Sequence, residues 1–250
     1  MNLNYRRNLM GYSILMANND SWRKDKMYNK ERGAKHPPLY PNEYMVKCFS
    51  SDSYSFINKK LRAKADASPN PLRVLEVGFF SGNNVRFFLD KGYEVEGCEI
   101  SEEIGGVGVK NLRDLGYGDF KAKVGENIEL PYNDETFDVL VSINTLHYSA
   151  SEHFRNAIRE WRRVLKVGGI LYVETVGPDH FVRIASTRKA ELLWVWEYDD
   201  FRKGQEFGFL DSEAHLKEEL QKAFKIVETG NRKEKFPKQT LDFLIGIAEK

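Results

Sequence analysis

Between residues 73 and 176, short apolar runs rich in β-branched side chains alternate with helix-length segments, and this alternation limits the fold more than any other feature of the chain. The runs cover residues 74–77, 93–98, 120–124, 137–143 and 170–176. Strands that alternate with helices form βαβ units, whose parallel sheet is covered by helices on both faces. The sequence therefore predicts a doubly wound α/β fold.

The rest of this domain carries helix and loop signals. Ser149 and Glu152 have the spacing of a capping box, and Gly168 and Gly169 should end the helix that follows. Three glycines after the second run predict a late or broken helix start, because each costs about 1 kcal/mol in a helix; they are Gly105, Gly106 and Gly108. An aromatic-rich insertion, 177–211, then precedes a helix over 212–224 and two final strands at 225–228 and 241–248.

Residues 1–71 predict a helical extension in front of a domain that spans 72–250. Four apolar side chains recur at helical spacing near the N-terminus, namely Tyr5, Leu9, Tyr12 and Met16. Asn42 is a candidate N-cap for the next helix, and a further helix is predicted over 56–65. The Ser-Pro-Asn-Pro segment at 68–71 marks the loop that ends the extension.

Composition excludes several classes of protein. Hydrophobic residues make up 41% of the 250 residues and charged residues 30%, which indicates a globular chain without a membrane span. A formal net charge of +1 gives no overall field toward nucleic acid or anionic lipid. Cys48 and Cys98 lack metal-ligand spacing, so we expect reduced thiols, no metal site and a cytoplasmic location.

The most informative segment is VLEVGFFSGNNVRFFLDKGYEVEGCEIS, residues 74–101. A strand runs into Glu76, Gly78 and Gly82, so backbone can approach a ligand at the carboxyl edge of the sheet. Glu99 ends the next strand, seventeen residues beyond Gly82. An acidic side chain at this place can accept hydrogen bonds from both hydroxyl groups of a ribose, which indicates an adenosyl ligand. The alternative is that the glycines only turn the chain and that Glu99 is a solvated strand end.

Four segments together make the chain resemble the class I S-adenosylmethionine-dependent methyltransferases. They are VLEVGFFSG at 74–82, CEIS at 98–101, VGENIELPYNDETFDVLVSINTLHY at 124–148 and RRVLKVGGILYVE at 162–174. The resemblance implies a Rossmann-like sheet of seven strands, mostly parallel with an antiparallel C-terminal strand. It also implies S-adenosylmethionine as cofactor, with S-adenosylhomocysteine as product.

The resemblance also assigns cofactor-binding residues by position. Glu76 would lie beneath the amino group of the methionine part, and Gly78 and Gly82 would form the loop around it. Glu99, followed by Ile100, would hold the ribose hydroxyl groups. The remaining implied contacts are Glu126 and Asn127 at the adenine, and Ser142 and Asn144 at the aminoacyl chain or the reacting centre.

One position departs from the family pattern, because Phe80 stands where the loop usually has its middle glycine. A side chain here predicts crowding of the cofactor or a different backbone path, and a third alternative is that Phe79 and Phe80 point into the acceptor pocket. The same departure disfavours a dinucleotide dehydrogenase. The glycine pattern of that class would require glycine at Phe80 and at Asn83.

Two histidines are candidate catalytic residues. The resemblance places His147 after the fourth strand, at the edge where the methyl group would lie, and an imidazole has a suitable pKa for taking a proton from a hydroxyl group. His180 follows the fifth strand and is a second candidate. Each also has a structural interpretation, His147 as a pocket-lining or packing residue and His180 as a surface-loop residue.

The extra segments suggest how the site is covered and what it methylates. Trp22, Tyr40, Trp194, Trp196 and Tyr198 could form a mobile aromatic cover or an accessory hydrophobic core. The first forty residues combine eight basic side chains with aromatics, a pattern compatible with RNA. Because the whole chain is nearly neutral, we expect a small-molecule or saccharide acceptor, methylated at oxygen or nitrogen. The alternatives are an RNA (tRNA or rRNA) methyltransferase and a non-catalytic binding protein.

Overall fold

The computed structural model describes residues 40–200 and 202–250. A seven-stranded sheet has the strand order β3-β2-β1-β4-β5-β10-β9. Its strands are β1 Arg73–Val77, β2 Glu94–Glu99, β3 Lys121–Val124, β4 Phe137–Ile143, β5 Leu165–Val176, β9 Ile226–Lys235 and β10 Thr240–Glu249. The pairs among β1 to β5 are parallel, whereas β10 is antiparallel to both β5 and β9. The predicted Rossmann-like sheet is confirmed.

Helices cover both faces of this sheet. They are α1 Glu43–Ser50, α2 Ile57–Asp66, α3 Asn83–Asp90, α4 Glu102–Asp114, α5 Glu152–Val164, α6 Phe181–Ile184 and α7 Glu213–Gln221, with a 3-10 turn at Leu146–Tyr148. One core packs α5 and α7 on the sheet and includes Trp161 and Leu216. The other packs α1, α2 and α3 and includes Met45, Leu61 and Phe88.

The N-terminal helices begin as the sequence indicates. Asn42 caps α1, since its side-chain oxygen accepts a hydrogen bond from the Met45 amide at 2.9 Å. The helix predicted around Tyr5 to Met16 and Trp22 of the aromatic set lie outside the described residues. In the described part of the chain, no helix combines the length and the apolar character needed to cross a bilayer.

The expectation of a late or broken start for α4 is wrong. This helix begins directly after Ser101, whose hydroxyl oxygen accepts a hydrogen bond from the Ile104 amide at 3.3 Å. Two of its three glycines serve close packing, and a Cβ on Gly108 would come within 2.3 Å of the Phe80 carbonyl oxygen. A Cβ on Gly105 would meet Glu99 at 3.3 Å. Close approach to the strand ends therefore outweighs the low helix propensity of glycine.

The predicted capping box of α5 is also wrong. The N-cap is Ser151, without a side-chain cap hydrogen bond. Ser149 is used elsewhere, since its hydroxyl oxygen accepts a hydrogen bond from Asn127 at 3.1 Å. The helix ends at Val164 rather than at the glycine pair, because β5 starts at Leu165 and carries Gly168 at a φ of +67°. The two final strands are likewise longer than predicted.

The insertion forms a small sheet of three strands, β6 Ser186–Ala190, β7 Leu193–Trp196 and β8 Glu206–Phe207. Trp196, Phe207 and Phe209 are buried together, with Trp194 and Tyr148 packed against them. Two other aromatics of the proposed cover are exposed, Tyr40 at 81% and Tyr198 at 62%. The buried tryptophan therefore belongs to an accessory core.

Candidate functional site

The loop from β1 to α3 is built on left-handed backbone. Gly78 has a φ of +76°, Phe80 of +37° and Gly82 of +81°. A Cβ on Gly78 would lie 2.1 Å from the side-chain oxygen of Thr145, so only glycine fits there. The Gly78 amide donates a hydrogen bond to the Cys98 carbonyl oxygen at 2.8 Å, which ties the loop to β2.

Glu99 lies where β2 ends and is only 3% exposed. Its Oε1 accepts a hydrogen bond from the Phe80 amide at 3.1 Å, and its Oε2 accepts one from the Ile100 amide at 3.0 Å. The two amides fix the orientation of the carboxylate at the edge of the cleft. Since each carboxylate oxygen can accept more than one hydrogen bond, capacity remains for a ligand.

Glu76 is a second buried carboxyl group, on the neighbouring strand β1. Its Oε1 accepts a hydrogen bond from Asn84 at 2.9 Å, whereas its Oε2 has no hydrogen-bond partner among the described residues. Burial raises the pKa of Glu76 to about 8, with the Asn84 hydrogen bond acting in the opposite direction. A nearby positive charge would favour the ionised form.

A chain of polar contacts continues from Asn84 along the carboxyl edge of the sheet. The Asn84 side-chain oxygen accepts a hydrogen bond from the Asn42 amide at 2.8 Å, and the Asn42 side chain donates to Glu174 at 3.1 Å. Glu174 is fully buried and forms an ion pair with Arg232 at 2.7 Å. This network connects the start of α1 with β5 and β9.

A cavity of about 170 Å³ opens at the same edge of the sheet. Its lining comes from the ends of β1 and β2, the segment after β3, the 3-10 turn and β8, and includes Gly78, Glu99, Ile100, Glu126, Asn127, Thr145, Tyr148, His153, Gln205 and Glu206. Five of these are cofactor residues assigned from sequence. The described lining contains no Lys or Arg.

The other assigned cofactor residues lie outside this lining. Glu76 and Ser142 are buried, and Ser142 of β4 pairs with Val77 of the neighbouring strand β1. Gly82 precedes α3 as its N-cap. Asn144 is exposed at a φ of +56°, and its amide donates to the Glu174 carbonyl oxygen at 2.8 Å. The cavity thus joins the residues assigned to ribose and adenine with Gly78, whereas the other residues assigned to the aminoacyl part lie outside its described lining.

The two phenylalanines of the loop leave the cavity open. Phe79 is 2% exposed and packs edge-on against Phe120 at 5.3 Å, on the side covered by α4. Phe80 is half-buried, and neither ring belongs to the cavity lining. Phe80 adopts a left-handed backbone conformation with a φ of +37°, and its amide holds Glu99. Phe79 does not point into an acceptor pocket.

The two candidate catalytic histidines are both buried. His147 lies 4.4 Å from the ring of Tyr148 and 6.0 Å from that of Phe207, and Tyr148 rather than His147 lines the cavity. His180 caps α6, since its Nδ1 accepts a hydrogen bond from the Val182 amide at 3.2 Å. Burial and the nearby Arg232 lower the pKa of His180 to about 4, so its imidazole is neutral at pH 7.

The lining residues that sequence reasoning missed include Thr145, His153, Gln205 and Glu206. Thr145 could have been found, because it follows β4 at the same edge as the glycine loop. His153 lies on a helix, where the sequence pattern alone predicts a solvated side chain. Gln205 and Glu206 carry no motif, and only the fold of the insertion brings them to the cavity.

Residues 75–173 match the family described as "Methyltransferase domain". This part of the chain is a class I S-adenosylmethionine-dependent methyltransferase domain. The family is that of enzymes that use S-adenosylmethionine as methyl donor, as the resemblance implied. A solved S-adenosylmethionine-dependent methyltransferase from Methanosarcina mazei has a similar fold, with a TM-score of 0.61 and 22% identity over 75% of this chain and 96% of its own.

Curated relatives of this methyltransferase domain differ in their acceptors. Demethylmenaquinone methyltransferase of Bacillus subtilis is 31% identical over 36% of this chain and 39% of its own length. Malonyl-[acyl-carrier protein] O-methyltransferase 1 of Coxiella burnetii is 32% identical over 47% of this chain and 38% of its own. The methyltransferase chain thus spans well under half the length of these relatives.

Proposed function

We propose that this protein transfers a methyl group from S-adenosylmethionine to an oxygen or nitrogen atom of a small-molecule or saccharide acceptor. The observation that carries the proposal is the open cavity lined by Glu99, a carboxylate that two backbone amides hold in place. A solved methyltransferase from Burkholderia thailandensis with bound S-adenosylhomocysteine has a similar fold, at a TM-score of 0.52 and 16% identity over 77% of this chain and 76% of its own.

The residues of this chain fit each part of the cofactor, which when bound supplies an electrophilic methyl group on a positive sulfur. Glu99 would accept hydrogen bonds from the ribose, and Glu126 would accept one from the exocyclic amine of adenine. Glu76 would face the ammonium group. Alignment of the reactants can remove about 7 to 11 kcal/mol of barrier, so the chain's main task is to orient them and exclude water.

Two residues after β4 are proposed to act at the acceptor. Tyr148 lines the cavity and would orient the acceptor. His147 packs against the Tyr148 ring, and it would either take the proton of the acceptor or hold the Tyr148 ring in place. We expect His147→Ala to lower turnover more than cofactor affinity. Equal losses in both quantities would contradict a role at the acceptor.

The charges around the cavity favour an acceptor that is not a polyanion. Glu99, Glu126 and Glu206 are acidic groups of the lining, and the described lining has no Lys or Arg. The insertion, residues 177–211, has seven acidic and five basic residues. RNA binding relies on basic groups that neutralise phosphates, so this surface suits a small neutral or cationic acceptor better.

Both cysteines are free and buried, which supports a reducing compartment such as the cytoplasm.

RNA is the second candidate acceptor, because two of the relatives are named tRNA methyltransferases. The tRNA (carboxymethyluridine(34)-5-O)-methyltransferase of Arabidopsis thaliana is 30% identical over 46% of this chain and 26% of its own length. The basic cluster of residues 23–35 lies outside the described residues. Salt-sensitive tRNA binding that weakens when this cluster is neutralised would favour RNA, and binding that is absent would favour the small acceptor.

Calorimetry with S-adenosylmethionine and S-adenosylhomocysteine tests the proposal. We expect the wild-type protein to bind both ligands and Glu99→Ala to bind them about 10- to 100-fold more weakly, since hydrogen bonds to a charged group are worth about 1.5 to 3 kcal/mol. Glu94→Ala is the matched control, because Glu94 is an exposed glutamate at the opposite end of β2. Absence of binding at millimolar ligand would leave a non-catalytic protein, and unchanged affinity in Glu99→Ala would contradict the ribose assignment.

A further inference from the structure

Gln205 is an anomaly in the wall of the cavity. It is 1% exposed, and its backbone is fully used: its amide donates to the Arg202 carbonyl oxygen at 2.8 Å, and its carbonyl oxygen accepts from the Trp196 amide at 3.0 Å. The polar atoms of the side chain, in contrast, make no such hydrogen bonds. Both polar atoms of its carboxamide, Nε2 and Oε1, are enclosed and have no hydrogen-bond partner among the described residues.

An enclosed carboxamide without partners is costly for a folded protein. Most buried polar side-chain atoms in proteins are hydrogen-bonded, and an unmade bond destabilises the fold more than a made bond stabilises it. Packing alone would be served better by Met or Leu at this position. Because Gln205 is also one of the residues that line an open cavity, a ligand bound there would satisfy its donor and its acceptor with a matching pair.

The composition of the cavity indicates which part of the ligand that is. The lining that contains Gln205 also contains Glu99, Glu126 and Asn127, which the sequence assigns to ribose and adenine. Gly78 is the only residue assigned to the aminoacyl end that this described lining contains, since it lacks Glu76, Gly82, Ser142 and Asn144. Adenine carries an amino donor beside ring-nitrogen acceptors, and the carboxamides of Asn and Gln pair with these two groups together.

We infer that Gln205 hydrogen-bonds the adenine ring of the cofactor through both atoms of its carboxamide. The inference rests on the proposed function and adds a cofactor-recognition residue from the insertion. The β7–β8 hairpin then supplies one wall of the nucleoside site, opposite the wall formed by the ends of β2 and β3. Cofactor binding and the fold of the insertion are coupled through this one side chain.

The test compares Gln205→Met, which keeps the side-chain length, with Gln221→Met. Gln221 is the exposed last residue of α7 and lies outside the cavity lining. Two probes are titrated by calorimetry: S-adenosylhomocysteine, and 5′-methylthioadenosine, which has the same nucleoside but no aminoacyl group. The melting temperature of each ligand-free variant is measured alongside, and Gln205→Leu serves as a second replacement if the methionine variant does not fold.

We expect the dissociation constants of both probes to rise about 5- to 100-fold in Gln205→Met, as for the loss of two hydrogen bonds, and to stay unchanged in Gln221→Met. The ligand-free Gln205→Met protein should melt at the wild-type temperature or above it, whereas loss of a structural glutamine would lower it. Wild-type affinity in Gln205→Met overturns this inference alone. Weakening of S-adenosylhomocysteine but not of 5′-methylthioadenosine overturns the adenine assignment, and failure of the wild type to bind either probe overturns the proposed function itself.

Discussion

Binding of the aminoacyl part of the cofactor should release a proton from Glu76. This carboxyl group is buried, one of its oxygens is held by Asn84, and the other has no partner among the described residues. Burial raises its pKa to about 8. The ammonium group of S-adenosylhomocysteine would favour the ionised form, so the proton leaves when the ligand arrives.

The size of the effect follows from that pKa. A shift of the Glu76 pKa from its ordinary value of 4.5 to about 8 corresponds to roughly 5 kcal/mol against the carboxylate. At pH 7 a group of this pKa is about 90% protonated, so binding should release up to about 0.9 proton per ligand. The same shift fixes the sign for folding. Between pH 4.5 and 8 the unfolded chain has lost this proton and the folded chain has kept it, so ligand-free stability should fall as the pH rises through this window.

Calorimetry at pH 7 in phosphate and in Tris measures the released proton, because the two buffers differ in their heats of protonation. We expect release with S-adenosylhomocysteine in the wild type and none in Glu76→Gln, which cannot ionise. 5′-Methylthioadenosine is the matched ligand control, since it lacks the ammonium group and should release no proton from Glu76. Equal release with both ligands, or release that persists in Glu76→Gln, would refute the assignment of Glu76 to the ammonium site.

Three further changes test other parts of the structure. Gly78→Ala should abolish cofactor binding and destabilise the fold by more than about 2 kcal/mol in urea titrations, because its Cβ would come within 2.1 Å of the Thr145 hydroxyl oxygen. Gly92→Ala is the control, since Gly92 has a similar φ of +80° but open space around it. This control should destabilise the fold by only about 1 to 2 kcal/mol. Arg232→Met should destabilise the fold by about 3 to 5 kcal/mol, since Glu174 would be left buried and unpaired, and adding Glu174→Gln should restore part of the loss. S-Adenosylhomocysteine should slow proteolysis within residues 177–211, and unchanged cutting would argue against closure of the insertion over the ligand.

The sheet could be predicted because its strands are local events. Runs such as 137–143 are apolar over their whole length, as strands covered on both faces must be, and the order of strands and helices leaves few topologies. Glu99 could be placed at the cleft for the same reason. It ends a strand, and the carboxyl ends of parallel strands share one edge.

The features that were missed depend on contacts between distant parts of the chain. Gly108 appeared to be a helix breaker because its packing partner, the carbonyl of Phe80, lies in another loop. Ser149 appeared to be a cap because its actual partner, Asn127, is 22 residues away. The sequence around Gln205 has no recognisable motif, because the position of this residue in the cavity lining depends on how the insertion folds. Tertiary packing overrides local propensity at each of these positions.

Asn42 shows how the site selects a residue that helix formation alone would not distinguish. Asp, Ser and Asn cap helices about equally well. Asn42 has two more duties, because its backbone amide binds Asn84 and its side-chain nitrogen donates to the buried Glu174. Aspartate could still cap α1, but it has no donor and would place a second negative charge against Glu174. The network that positions Glu76 therefore requires asparagine, and through it the segment before β1 helps to orient the carboxyl group proposed to meet the cofactor.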